Sequence, residues 1–323
     1  MKAAVVTEKG VQVLDVPAPA PNSNEVLVRV HACGLNRADL AVAAGRQHGS
    51  VGGAGTIVGM EFAGVVEQAG GEAKGIKPGD RVMCSGSAGY AEYAVADWGR
   101  ASKLPDTMGY EQAATLPVAL QTMHNALVTA GRLQAGDTVL IQGASSGVGL
   151  MGLQIAKLMG ARRVLGTSTN ASRRARLADF GADVAVDTTN AAWPDEVLAA
   201  TDGKGVDLII DLVSASVANA NMKACALRGR IVNVGRLGGT TGPFDFDLHA
   251  LKRIEYIGVT FRTRTVDEVR ETVRRMRADL WRDVETGRLS LPIDRSFALA
   301  DTAAALAYMR ANQHFGKIVL TMP

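Results

Sequence analysis

Between Asp137 and Leu165 the chain runs DTVLIQGASSGVGLMGLQIAKLMGARRVL, and this segment constrains the fold more than any other. Val139 to Gln142 is an apolar run of strand length, too short for a helix. Gly143-Ala-Ser-Ser-Gly147-Val-Gly149 follows, and Leu150, Leu153, Ile155, Leu158 and Met159 then mark an amphipathic helix closed by Gly160. The next apolar run, Val164 to Thr167, predicts a second strand parallel to the first, because parallel neighbours need a helical crossover. Glycines at the turn of such a βαβ unit let backbone N–H groups come close to a pyrophosphate. The helix N-terminus adds partial positive charge, so the segment predicts dinucleotide binding.

The turn GASSGVG is also similar to the opening signature of the short-chain dehydrogenases, which carry a Tyr-x-x-x-Lys pair. Here it arrives after more than a third of the chain, and none of Tyr90, Tyr93, Tyr110, Tyr256 and Tyr308 has a lysine four residues on. That reading fails.

With 323 residues the chain is long enough for two domains, each with its own core. A formal net charge of +3 demands neither nucleic acid nor an anionic membrane as partner. Cys33, Cys84 and Cys225 are odd in number, far apart and free of any CxxC pattern, which suits a reducing cytosol better than a disulfide framework. The opening MKAAVVTEKG does not read as a signal peptide, and no apolar run reaches membrane-spanning length. The expectation is a cytoplasmic protein.

The first ninety-odd residues predict short strands at Ala3 to Val6, Val11 to Val16, Val26 to Ala32, Gly64 to Gln68, Arg81 to Cys84 and Tyr90 to Ala96. They form a separate β domain, a partly open barrel. Gly45 to Gly59, rich in glycine and poor in apolar anchors, predicts a mobile loop. Val118 to Ala130 is expected as a helix leading to the glycine turn. Beyond the βαβ unit, helices are expected around Ala171 to Phe180 and Ala218 to Leu227, the latter ended by Gly229. Strands are expected at Val184 to Val186, Val206 to Leu212, Ile231 to Val234 and Ile254 to Val259. Strands alternating with helices are the doubly wound pattern. Val266, Val269, Val273, Met276, Leu280 and Val284 then line one face of a long helix, whose arginines are balanced by acids. Phe297 to Leu299, a helix Asp301 to Ala311 and a strand Lys317 to Thr321 complete the chain.

This organisation resembles the medium-chain dehydrogenase/reductase superfamily over essentially the whole chain. The stretches CGLNRADL, GMEFAGVV, KPGDRVM, YAEYAV, ATLPVALQT, VLIQGASSGVGLMGLQIAKLMGA, GVDLIIDLV, GRIVNVG and HFGKIVL are most similar to its zinc-free quinone oxidoreductase branch, the zeta-crystallin-like proteins. The resemblance implies an α/β chain: a GroES-like partly open β-barrel catalytic domain in residues 1–123 and a Rossmann doubly wound parallel sheet in 124–263. Residues 264–323 are then a C-terminal return to the catalytic domain.

The superfamily's zinc alcohol dehydrogenases carry a catalytic Cys where this chain has Asn36 and a catalytic His where it has Met60. An amide and a thioether do not suit zinc, and Gly86 to Asp97 lacks the cysteines of the structural zinc lobe, so no metal is expected. Without a Lewis acid, favourable acceptors disperse the incoming charge themselves, which points to a quinone or an α,β-unsaturated carbonyl as the small-molecule partner. The second strand ends Gly166-Thr-Ser-Thr-Asn-Ala-Ser-Arg-Arg174 with no acid for ribose hydroxyls, and Thr167, Ser168, Arg173 and Arg174 suit a 2′-phosphate. The expected cofactor is NADPH.

By the same resemblance, Thr122 lies near the nicotinamide ribose, and Ser145, Ser146, Gly147, Val148 and Gly149 surround the pyrophosphate. Val213, Ser214, Val234 and Gly235 contact the adenine and nicotinamide portions. Asn36 and Asp39 line the active cleft, Asn36 as a hydrogen-bond partner of acceptor or cofactor and Asp39 as an organiser of the loop. Lys317 either approaches the cofactor or only starts a strand. The family implies a homodimer, with Ile254 to Val259 as the pairing edge. Two rival functions remain: an enoyl-thioester or acrylate-type alkene reductase, and a nonenzymatic NADPH- or RNA-binding crystallin-like protein, which the small net charge disfavours.

Overall fold

The computed structural model describes residues 1–323, which divide into two units: Met1–Gln121 together with Phe261–Pro323, and Thr122–Thr260. The changeovers fall shortly before the limits expected at 123 and 263.

The first unit begins with the antiparallel ribbon β1 (Lys2–Thr7) and β2 (Gly10–Asp15). It continues through β3 (Glu25–Gly34), β4 (Glu61–Ala69), β5 (Arg81–Ser85), β6 (Tyr93–Asp97) and β7 (Ala101–Lys103). The second unit holds β8 (Thr138–Gln142), β9 (Arg163–Thr167), β10 (Val184–Val186), β11 (Val206–Asp211), β12 (Cys225–Asn233) and β13 (Glu255–Gly258). The chain then returns to the first unit with β14 (Ile293–Ala298) and β15 (Lys317–Thr321).

In the first unit the sheet runs β14-β15-β3-β4-β5-β7, and β6 also pairs with β3. Long β3 organises it. Its start pairs with β6, from Glu25↔Asp97 to Arg29↔Tyr93, and its end with β15, from Ala32↔Thr321 to Gly34↔Val319. Along the other edge β4 pairs antiparallel, Cys33 opposite Phe62. The end of β3, the start of β4 and the start of β15 therefore meet at one end of the sheet, which brings the neighbourhoods of residues 36, 61 and 317 together. Apolar side chains such as Val28, Val30, Phe62, Val82 and Ile318 fill the core.

The second unit is an all-parallel sheet in the order β10-β9-β8-β11-β12-β13. Successive strands run outward one way from β8 to β10, and the other way from β11 to β13. The switch of direction lies between β8 and β11, where doubly wound sheets bind ligands at the carboxyl ends of their strands. Leu140, Leu165, Ile209 and Ile231 are fully buried and lie in the core beside Trp193, as near-continuous apolar strands covered on both faces require.

Several expected elements differ. The strand expected from Tyr90 begins at Tyr93; Ala91 makes only an isolated bridge to Ala3. The helix through 118–130 is α from Pro117 to His124 and widens to a π-helix over Asn125–Ala130. The 171–180 helix is split into Ala171–Arg174 and a 3-10 turn Leu177–Phe180. The helix expected to reach Leu227 stops at Ala224, because Cys225 pairs with Val206; a register shift follows, and Gly229 lies inside β12. Helices Trp193–Ala199 and Phe246–Lys252, and β7, were not expected. The long helix spans Val266–Glu285 and buries every residue of the expected stripe except Val266, which is 55% exposed. Thr265 and Glu268 close its N-terminus with a reciprocal capping box. No helix is long and apolar enough to cross a membrane.

Candidate active site and cofactor cradle

In the second unit, β8 runs into Gly143, whose φ of +75° turns the backbone sharply out of the strand. Ser146 caps the helix Gly147–Leu158, its hydroxyl accepting from the Gly149 N–H at 3.1 Å and donating to the Gly143 carbonyl at 3.0 Å. A Cβ on Gly149 would lie 2.7 Å from Ala144 Cα and 2.7 Å from the carbonyl oxygens of Ala144 and Gly143. Only glycine permits that approach of helix to turn, which leaves the helix N-terminus facing a backbone cradle suited to an anion.

A buried chain of hydrogen bonds supports the cradle from below. The Gly143 N–H donates to Thr167 Oγ1 at 2.9 Å, Thr167 donates to Gln142 Oε1 at 2.6 Å, and Gln142 Nε2 donates to Asn221 Oδ1 at 2.8 Å. Asn221 Nδ2 donates in turn to Asp211 Oδ2 at 3.0 Å, while Asp211 Oδ1 accepts from the N–H groups of Val213 and Ser214 at 2.8 and 2.9 Å. Burial raises the Asp211 pKa, and those N–H bonds and Asn221 oppose the rise. The Thr167 hydroxyl is thus enclosed and bonded within the chain, where it fixes the turn rather than offering itself to a phosphate.

Beside it, Ser168 donates to Ser145 Oγ at 3.1 Å and accepts from the Asn170 N–H at 3.3 Å. Arg174 is held by Asp187 at 2.8 Å and by the Ser168 carbonyl at 2.9 Å. Arg173 stands half-exposed on a single helical turn capped by Asn170. Ser214 adopts a φ of +70° and donates to the Gly235 carbonyl at 2.8 Å, which ties the ends of β11 and β12 together. Val213, Val234, Val148 and Thr122 are half-buried.

In the first unit, the junction of β3, β4 and β15 carries a closed polar cluster. Asn36 Nδ2 donates to Glu61 Oε1 at 2.8 Å, with the Gly34 carbonyl at 3.5 Å. Lys317 Nζ donates to Glu61 Oε1 at 2.5 Å, to the Leu35 carbonyl at 2.8 Å and to Asn36 Oδ1 at 3.1 Å. An ammonium has three donors, so Lys317, 3% exposed, keeps none for a cofactor phosphate in this conformation. The other Glu61 oxygen accepts from the Val118 N–H at 2.8 Å, in the first turn of the helix Pro117–His124. One fully buried carboxylate thereby fixes a strand, a lysine, an amide and a helix start.

Asp39 lies next to this cluster, fully buried. Its Oδ2 accepts from the Asn36 N–H and from the Tyr90 hydroxyl, both at 2.8 Å, while Oδ1 has no partner. Burial pushes the Asp39 pKa up to about 7 against the opposing pull of those donors and Lys317. The same burial, with Asp39 alongside, holds the Tyr90 phenol and the Cys33 thiol well above their usual values.

The structure therefore brings Asn36, Asp39 and Lys317 together, and gathers Ser145 to Gly149 with Ser168 about the glycine turn. Three contributors were missed: Glu61, Tyr90 and Asp211. An acid inside an otherwise apolar strand, as in GMEFAGVV and VDLIIDLV, is the available signal for two of them. Tyr90, expected only as the first residue of a strand, turns its hydroxyl into a specific donor to Asp39.

Residues 22–106 match the alcohol dehydrogenase GroES-like domain, and residues 147–278 match the zinc-binding dehydrogenase family. The chain is 31% identical over 312 residues to the quinone oxidoreductase of Rattus norvegicus, covering 95% of this chain and 92% of that one. It is 30% identical over 304 residues to a mycocerosic acid synthase-like polyketide synthase of Mycobacterium tuberculosis, covering 94% of this chain but spanning only 14% of that much longer protein. A solved mycobacterial protein complexed with NADPH superposes with a TM-score of 0.88 at 28% identity, covering 99% of each chain. The zinc in the second family's name finds no fit here. No three His, Cys, Asp or Glu side chains are placed to hold a metal ion together, and positions 36 and 60 offer an amide and a thioether.

Proposed function

We propose that this chain, which belongs to the medium-chain dehydrogenase/reductase superfamily in its quinone oxidoreductase branch, is a zinc-independent, NADPH-dependent reductase of quinones or α,β-unsaturated carbonyls. The observation that carries the reading is the cradle at Gly143 to Gly149, where a Cβ on Gly149 would strike backbone at 2.7 Å. Its N–H groups and helix N-terminus suit a pyrophosphate, and the half-exposed Arg173, with no acid at the end of β9, suits a 2′-phosphate. Reduced nicotinamide, when bound, supplies a hydride.

The protein's own part is binding, orientation and charge. Ser145, Ser146, Gly147, Val148 and Gly149 hold the diphosphate, with Thr122, Val213, Ser214, Val234 and Gly235 along the cofactor. Thr167 supports the glycine turn within the second unit, and Lys317 supports Asn36 within the first. Asn36 is held rigid by Glu61 and Lys317, which leaves one lone pair of Oδ1 to orient a partner. Asp39 orders the Asn36 backbone. Since an amide at position 36 and a thioether at position 60 make no ligand set for a Lewis acid, the acceptor itself must delocalise the negative charge that hydride brings, as quinones and enones do.

The match to a polyketide synthase favours a second reading, enoyl-thioester reduction, since a thioester-conjugated alkene meets the same requirement. We further propose a cytoplasmic homodimer paired through β13, an edge strand, in line with the three free cysteines. Light scattering that returns a monomer would remove the dimer.

Oxidation of NADPH and NADH against a quinone, a small enone, an acrylate-type acid and an enoyl thioester, each with and without chelator, tests the reading. Chelator-resistant turnover with NADPH is expected. Loss of activity with chelator would overturn the metal-free assignment, and binding of NADPH without any turnover would overturn the enzymatic one.

A further inference from the structure

We propose that the first unit carries a second ligand site, a recess between two indoles that binds a phosphate monoester borne on a flat apolar group. The recess has a volume of about 290 Å³ and is lined by Lys74, Ile76, Trp98, Lys103, Arg277 and Trp281. None of these residues belongs to the Asn36 cluster or to the cofactor cradle, so the proposal stands apart from the reductase reading.

Three elements build it. The turn after β4 supplies Lys74 and Ile76, and the 3-10 turn Trp98–Arg100 with β7 supplies Trp98 and Lys103. The helix Val266–Glu285 supplies Arg277 and Trp281, one turn apart and so on one face.

The balance of charge in the recess is what calls for an anion. Lys103 is paired with Asp80 at 2.9 Å, and Arg270, which packs on the Trp98 ring at 4.9 Å, is held by Asp97 at 2.6 and 3.0 Å. Those two cations are answered. Arg277 and Lys74 are not. Arg277 is half-buried and bonds only to the Ala101 carbonyl at 3.3 Å, and Lys74 meets only the Trp98 ring, at 5.7 Å.

Two unanswered cations match a dianion, and a phosphate monoester above its second pKa of about 6 is one. A guanidinium fork binds phosphate oxygens through two parallel bonds, a geometry that a point charge cannot offer. The indole walls suit a flat, apolar ester group of modest size, at the lower end of small-molecule pocket volumes.

Phenyl phosphate is the probe, titrated into the whole chain in the presence of excess NADPH and followed by calorimetry and tryptophan fluorescence. Two of the three tryptophans, Trp98 and Trp281, lie in the recess. Saturable binding at one site is expected, with inorganic phosphate binding at least about tenfold more weakly for want of the ring contacts. Arg277→Met, and separately the exposed Lys74→Met, should each weaken phenyl phosphate about tenfold or more, with NADPH affinity and melting temperature unchanged. No saturable binding, equal affinity for both phosphates, undiminished affinity in folded Arg277→Met and Lys74→Met, or complete loss of binding under excess NADPH would each overturn the site.

Discussion

Tyr90 donates its phenolic hydrogen to Asp39 Oδ2 at 2.8 Å, while the other Asp39 oxygen, equally buried, accepts nothing. The half-satisfied carboxyl has a pKa raised by burial from 3.8 to about 7. The folded state therefore binds more protons than the unfolded one between those values, and stability falls as pH rises across that window. Asp39→Asn keeps an oxygen for Tyr90 and removes the titration. Relative to wild type it is expected to gain stability from pH 5 to pH 8, by at most about 3 kcal/mol, since only about two of the pKa units at 1.36 kcal/mol each lie between pH 5 and the folded value, in urea melts at the two pH values. A parallel pH dependence in both proteins would show that Asp39 does not titrate in this range.

Glu61 and Lys317 form an ion pair with side-chain exposures of 0% and 4%. Removing one partner strands the other charge away from water. Lys317→Met and Glu61→Gln are each expected to destabilise by about 3–5 kcal/mol, and the double variant by much less than the sum. Additive losses in chemical denaturation would mean that the two charges do not interact.

Gly149→Ala tests the cradle. The three atoms nearest the added methyl, each at 2.7 Å, are backbone, which cannot swing aside as a flexible side chain would. A loss of about 1–3 kcal/mol in stability is expected, together with a loss of NADPH affinity of about tenfold or more because the turn must open. An unchanged dissociation constant in fluorescence titration would place the pyrophosphate elsewhere.

Arg173→Ala should lower NADPH affinity about tenfold while leaving NADH within about twofold, since one charge-assisted contact to the 2′-phosphate is removed. A parallel loss for both cofactors would assign Arg173 to the helix turn it sits on.

The nucleotide fold was legible because its signals are local. A strand, glycines and an amphipathic helix follow one another within thirty residues, and each element restates the same register. What escaped depends on distant partners. Cys225 to Arg228 has the composition of a helix end, yet pairing with Val206 draws Cys225 into a strand. Trp193–Ala199 carried a readable start, with Pro194 followed by Asp195 and Glu196, which was overlooked. At the candidate site, Asn36 and Asp39 could be picked out through resemblance alone. That Lys317 faces inward, and that Glu61 is the hub, follow from the meeting of three strand ends that no local pattern encodes.

The pairing of β15 with β3 has a consequence for synthesis. Residues 122–260 form a contiguous unit that has left the ribosome well before Lys317 is made. The sheet of the first unit has to wait, because its strand next to β3 lies 256 residues after Glu61. Until then Glu61 has no countercharge and cannot be withdrawn from water cheaply. The nascent chain is thus expected to present a finished nucleotide-binding half beside an unfinished barrel, and arrest or truncation before Lys317 would expose the seam along β3 to chaperones and proteases.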